Sequence, residues 1–119
     1  MIPTRIHGII DYLVAVILIL APFLLGFADG SAAQWTPILV GITTIFVSLF
    51  TRYELGVVRV VPMAAHLAID IATGILLLAS PWLFGFADRI WWPHVLFGLL
   101  YIVTPLLTQR RSPQDLARS

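Results

Sequence analysis

Two histidine–aspartate pairs are the residues of this chain whose types and spacing could do chemistry. His7 and Asp11 are four residues apart, His66 and Asp70 are four apart, and the second pair follows the first by 59 positions. Residues i and i+4 are neighbours on one side of a helix, so each carboxylate can accept from its imidazole and fix the ring's tautomer. Both pairs open long apolar runs. An ionised aspartate at the centre of a bilayer costs about 2.5–3.5 kcal/mol on insertion scales, less near the interface, and is rarely left without a partner. Three kinds of site follow. The first is a structural hydrogen-bond clamp. The second is a proton or ion relay, because ionisable groups inside a membrane are functional candidates. The third is a haem or metal site with the paired histidines as ligands. The clamp is taken as the leading reading.

Other candidates are weaker. His94 has no histidine counterpart, since Pro37 stands opposite it, and it reads as an interfacial residue rather than a ligand. Asp29 and Asp88 each close a Gly-Phe-Ala-Asp segment, where a carboxylate is expected to cap the next helix or satisfy loop amides. An outward-facing cation site built from these two is the alternative. No nucleophile–base set, phosphate loop or zinc motif is present, so the chain reads as non-enzymatic, with no catalytic residues, no cofactor and no assigned metal. Cysteine is absent, which removes disulfides and thiolate chemistry. A net charge of +1 gives no nucleic-acid signature.

The elements that must position these residues come from a duplication. Pro3, His7, Asp11, Pro22, Phe23, Gly26 and Asp29 recur as Pro62, His66, Asp70, Pro81, Trp82, Gly85 and Asp88. Each unit is expected to open with a long helix whose first residue is Pro3 or Pro62, where the missing N–H costs nothing. Pro22 or Pro81 should kink or end that helix, and Gly26 or Gly85 should carry the chain out of helical geometry. The positions shared by the two copies, with Ala15 and Gly74, fall on one helix stripe within an arc of about 100°. That stripe is expected to pack segment one against segment three, with small residues permitting close approach, and to bring the four polar side chains together near the axis. At a shift of 57, Trp35, Leu39, Gly41, Ile45, Leu49 and Thr51 match Trp92, Leu96, Gly98, Ile102, Leu106 and Thr108, which gives each unit a second helix. Pro105 is expected to kink only the fourth.

The chain is 60% hydrophobic and 11% charged, with a mean hydropathy of +0.98. A soluble domain is nearer half apolar and a quarter charged. The apolar runs near 7–28, 35–51, 63–87 and 91–108 approach the ~20 residues that cross a bilayer core, the second and fourth near the lower limit. The first run reads as a retained span rather than a signal peptide, because its counterpart recurs in mid-chain. Every basic residue is arginine. Arg5, Arg52, Arg59, Arg110, Arg111 and Arg118 fall on one side of the four spans and only Arg89 on the other. By the positive-inside rule both termini face the cytoplasm. The tryptophans at 35, 82, 91 and 92 mark the outer interface.

Ser80-Pro81-Trp82, with His-x3-Asp before it, Gly-Phe-Ala-Asp after it and the whole unit duplicated, resembles the SPW-repeat family of small prokaryotic membrane proteins. The first copy departs from the motif, reading Ala21-Pro22-Phe23. The resemblance implies two spans per repeat and a prokaryotic inner membrane, and it implies no activity.

The resulting expectation is an all-α, four-transmembrane-helix bundle of two parallel helical-hairpin repeats. Residues 3–51 form the first repeat, 52–61 an interfacial linker, 62–108 the second repeat and 109–119 a polar cytoplasmic tail without fixed structure unless a partner holds it. The function expected is a non-catalytic scaffold or accessory subunit, in contact with lipid and with other membrane subunits or further copies of itself. A small proton- or ion-handling channel or transporter is the alternative.

Overall fold

The computed structural model describes residues 1–117; Arg118, counted above with the inner arginines, lies outside them. The described chain is all-helical in the order α1 (Thr4–Leu24), α2 (Ala32–Leu49), α3 (Met63–Leu83), α4 (Trp92–Leu106) and a one-turn α5 (Pro113–Leu116). The molecule extends 48 Å along its long axis and 22 Å by 18 Å across it. That length matches a bilayer with its headgroup layers, about 40–45 Å. α1 and α3 have 21 residues each, about 31 Å at 1.5 Å per residue. α2 has 18, and these three helices are long and apolar enough to span a membrane. α4 has only 15 residues, about 22 Å, shorter than the run 91–108 suggested.

Helix limits differ from expectation at the prolines. Pro3 and Pro62 precede their helices in extended geometry, with φ −63° and −60°, and act as N-caps rather than first helical residues. Pro22 and Pro81 lie inside the last turn, and both helices run on to Leu24 and Leu83. Termination comes at the glycines, where Gly26 and Gly85 take φ of +78° and +74°, the left-handed region that only glycine enters without strain. Pro105 sits in the last turn of α4, which ends one residue later, so it closes the helix instead of kinking its middle.

Packing corrects a second expectation. The close backbone approaches are within each hairpin, α1 on α2 and α3 on α4, and not between the two long helices. The small residues of the stripe serve those contacts. A Cβ on Gly41 would lie 2.7 Å from the Ala15 carbonyl oxygen, and one on Gly74 would lie 3.0 Å from the Gly98 carbonyl oxygen. Between the two repeats, many of the side chains in contact are repeat counterparts meeting at a pseudo-twofold axis. His7 faces His66 with ring centroids 5.4 Å apart. Leu18 and Leu77 share one buried cluster with Val40 and Tyr101, and Phe27 and Phe86 share another. Tyr101 donates to its own counterpart Thr44 over 2.7 Å, because the Thr44 hydroxyl already donates to the Val40 carbonyl.

Residues 109–117 of the tail pack against the end of the bundle where the long helices begin, contrary to expectation. Ser112 and Asp115 form a reciprocal capping box on α5. The Ser112 hydroxyl donates to the Arg52 carbonyl, and Asp115 Oδ2 accepts from the Met63 amide at 3.0 Å. The segment 52–61 turns back on itself and pairs Thr51 with Val61, just as Ile2 pairs with Thr108.

Candidate functional site

The structure brings His7, Asp11, His66 and Asp70 together on the axis, with side-chain exposures of 0–6%. α1 carries the first pair and α3 the second, each on the first turns of its helix. Their inward atoms make a closed four-membered ring. His7 Nε2 lies 3.0 Å from Asp11 Oδ2 and 2.9 Å from Asp70 Oδ2. His66 Nε2 lies 2.6 Å from Asp11 Oδ2 and 3.3 Å from Asp70 Oδ2. Asp11 is therefore the tighter bridge in a site that is otherwise symmetric.

Two threonines fix where the ring protons are. Thr108 Oγ1 donates its single proton to the Thr104 carbonyl at 2.6 Å, so towards His7 Nδ1, 2.8 Å away, it can only accept. Thr51 Oγ1 likewise donates to the Val47 carbonyl and accepts from His66 Nδ1 at 2.8 Å. Both imidazoles thus carry a proton on Nδ1 and present Nε2 to the carboxylates. Two further protons shared among these nitrogens and oxygens would balance the two carboxylates and leave the cluster neutral. Neutrality is the arrangement a low-dielectric interior favours. The bonds cross between repeats: the threonine ending the second hairpin holds the histidine of the first, and the reverse. Sequence alone did not single out the threonines. The signal was present, since Thr51 and Thr108 are matched at the shift of 57, but their partners lie 15 and 101 residues away.

Tyr53, fully buried, covers the inner side with its ring 5.5 Å from that of His66. Beside Asp11 and Asp70 is a cavity of about 10 Å³ bounded by Val14, Tyr101, Thr104 and Pro105, room for about one water. The histidine rings sit at 78° to each other with the carboxylates between them, which leaves no space for a porphyrin.

The remaining motif residues have structural work. Pro81 has no N–H for the Leu77 carbonyl, and the Ser80 hydroxyl donates to that oxygen at 2.7 Å. A buried carbonyl left without a donor costs about 1–3 kcal/mol, which the serine directly before the proline offsets. In the first copy Ala21 cannot do this for Leu18. Trp82 and Phe23 point outward, each 60% exposed, so the indole is not required at the axis. His94, in the first turn of α4, is buried within the protein. Its Nε2 donates to the Ala33 carbonyl at 2.9 Å, the oxygen that Pro37 leaves without a helical donor. Its ring lies between Phe27 and Phe86.

Asp29 and Asp88 are not equivalent. Ser31, not Asp29, caps α2. Asp29 accepts from the Ser31 amide and hydroxyl and pairs with Arg89. The Ser31 hydroxyl and amide, with Arg89 beside them, hold its carboxyl below the usual range. Asp88 is exposed, and α4 begins at Trp92 with Pro93 in its first turn and no side-chain cap. The Arg89–Asp29 pair takes the place of a cation between two carboxylates.

No curated protein and no solved structure matches the chain. A family model described as SPW repeat domain matches residues 5–108, spanning all four long helices and the whole cluster, and this multi-pass membrane chain therefore belongs to the SPW repeat family.

Proposed function

We propose that the protein is a non-catalytic scaffold or accessory subunit of a larger membrane assembly, placed in a prokaryotic inner membrane with both termini cytoplasmic. The observation that carries this reading is the closed ring of His7, Asp11, His66 and Asp70. Its inward atoms face one another, and its outer nitrogens are spent on Thr51 and Thr108. A buried ion network of that kind locks two halves of a chain in register. Outside it the surface is apolar over the spans, with Leu13, Phe23, Phe46, Trp82 and Leu106 all more than half exposed, available to lipid and to other helices. The side of the chain holding six of the seven arginines supports the orientation. Purification in mild detergent, followed by mass spectrometry, should recover other membrane subunits or a homo-oligomer. A lone monodisperse chain that conducts ions in liposomes would refute the proposal.

The second reading is proton or ion handling. It draws on one observation: the histidine nitrogens and aspartate oxygens lie 2.6–3.3 Å apart, beside a water-sized cavity. On this reading Asp11→Asn with Asp70→Asn abolishes proton flux in liposomes while the protein still folds. Unchanged flux in the folded variant excludes it.

A further inference from the structure

We propose that His7, Asp11, His66 and Asp70 form a closed site for one divalent first-row transition-metal ion of the zinc type. Such a site goes beyond the scaffold reading and rests on the geometry of the ligand atoms, the second layer around them and the charge.

One nitrogen or oxygen from each of the four residues lies within 4.8 Å of all the others. A tetrahedral ion with bonds of about 2.0–2.2 Å to nitrogen and oxygen sets its ligands about 3.4 Å apart. The four His–Asp edges are 3.0, 2.9, 2.6 and 3.3 Å. The ring is therefore slightly tighter than a filled tetrahedron, and admitting an ion stretches its shortest edge by about 0.8 Å. The second layer is already built. Metal-bound histidines donate their other N–H to a fixed acceptor, which sets the tautomer and aims the lone pair. Here both Nδ1–H groups donate to threonine oxygens whose own protons are committed to backbone carbonyls. Each Nε2 thus faces inward with its lone pair free once the bridging proton leaves. Two carboxylates and two neutral imidazoles carry a charge of −2, which one divalent ion cancels. Calcium needs six to eight oxygens and magnesium keeps several waters; imidazole nitrogen in a dry four-ligand site favours zinc and its neighbours.

The exchange balances. The ion forms bonds to two Nε2 and two Oδ2 atoms, and the two protons that bridge the metal-free ring leave to solvent. The Nδ1 protons stay, and no electron is transferred.

The test uses the full chain in mild detergent, stripped with chelator and titrated at neutral pH with Zn²⁺ and with Co²⁺. The expected result is one ion per chain, two protons released per ion by calorimetry in buffers of different ionisation heat, and intense four-coordinate visible bands for Co²⁺. Asp11→Asn with Asp70→Asn keeps the shape and lets each amide donate to an Nε2, so the variant should remain folded and bind at least 100-fold more weakly. Thr51→Val with Thr108→Val should weaken binding 10- to 100-fold. A folded wild type that takes up no stoichiometric ion, or takes one up without releasing protons, overturns the proposal. So does binding within tenfold of wild type in the folded double-asparagine variant. If that variant does not fold, the wild-type stoichiometry and proton count decide alone.

Discussion

Replacing Asp11 with alanine should damage the protein far more than the same change at its counterpart Asp70. Asp11 Oδ2 bridges both histidines, at 3.0 Å to His7 and 2.6 Å to His66. Once it is gone, His7 keeps Asp70 at 2.9 Å, but His66 keeps only the 3.3 Å contact. A charge-assisted hydrogen bond contributes about 1.5–3 kcal/mol, and a buried polar atom left without a good partner costs about 1–3 more. The sum is about 2.5–6 kcal/mol, which brackets the about 3–5 kcal/mol measured when one partner is removed from a buried pair. Asp70→Ala leaves both histidines on Asp11, so its cost should fall nearer 1–3 kcal/mol. A difference of about 2 kcal/mol is roughly thirtyfold in the unfolding equilibrium. Reversible unfolding in mixed micelles of increasing SDS fraction, followed by far-ultraviolet circular dichroism, measures both. The difference should survive added salt, since screening reaches buried pairs weakly. If the two variants agree within about 0.5 kcal/mol, the resolution of that extrapolation, or if both stay within 1 kcal/mol of wild type, the cluster is not the lock described.

Further outcomes follow from single contacts. Gly98→Ala should cost about 1–3 kcal/mol in the same assay, because its Cβ would lie 2.7 Å from the Leu78 amide nitrogen, which is backbone and cannot yield. Gly26→Ala meets nothing within 4 Å, yet should cost about 1–2 kcal/mol through its left-handed φ alone; a neutral result there would contradict the assigned exit from α1. Ser80→Ala should cost about 1 kcal/mol, and Ala21→Ser should return a comparable amount if its hydroxyl reaches the Leu18 carbonyl. For the Asp29 loop the pH sign is fixed by a carboxyl held below its ordinary 3.8. Its contribution is present above that value and lost as pH falls through the lower folded one, so the protection of the Ser31 amide, with the intrinsic exchange rate divided out, should fall only on acidification and stay constant between neutral and mildly alkaline pH.

Much of the fold was legible because duplication wrote the same constraint twice. The matched glycines at 26 and 85 do end the long helices, and the His-x3-Asp spacing puts each pair on one face. What sequence could not give was the partner of each constrained position. Gly41 and Gly74 announce a close approach without naming the neighbour, and the neighbour proves to be the other helix of the same hairpin. Thr108 and His7 are 101 residues apart, beyond any local periodicity. The tail reads as polar, but its two useful residues are a serine and an aspartate whose targets, the Arg52 carbonyl and the Met63 amide, are backbone groups with no sequence signature. Asp29 and Asp88 mislead for a related reason. Their identity in the repeats suggests one role, whereas Arg89 in the second loop reaches across to Asp29 and has no opposite number, Gly30 standing in its place.

The end of the bundle where the long helices begin shows how the two copies stay alike despite different continuations. After Thr51 the chain must cross to the second repeat, and after Thr108 it runs out into the tail. Yet each continuation brings a carboxylate to the start of its own repeat's long helix. Glu54 accepts from the Thr4 hydroxyl at the head of α1, and Asp115 accepts from the Met63 amide at the head of α3. An acid there is favoured by the unpaired amides and the positive end of the helix dipole. It also holds the first turns that carry His7 and His66. Thr51 and Thr108, from which the two continuations start, hold the rings of His66 and His7 through their Nδ1 atoms. The histidines are thus fixed by segments outside the long helices, which explains why the linker and tail can differ in sequence while the ring they frame remains closed.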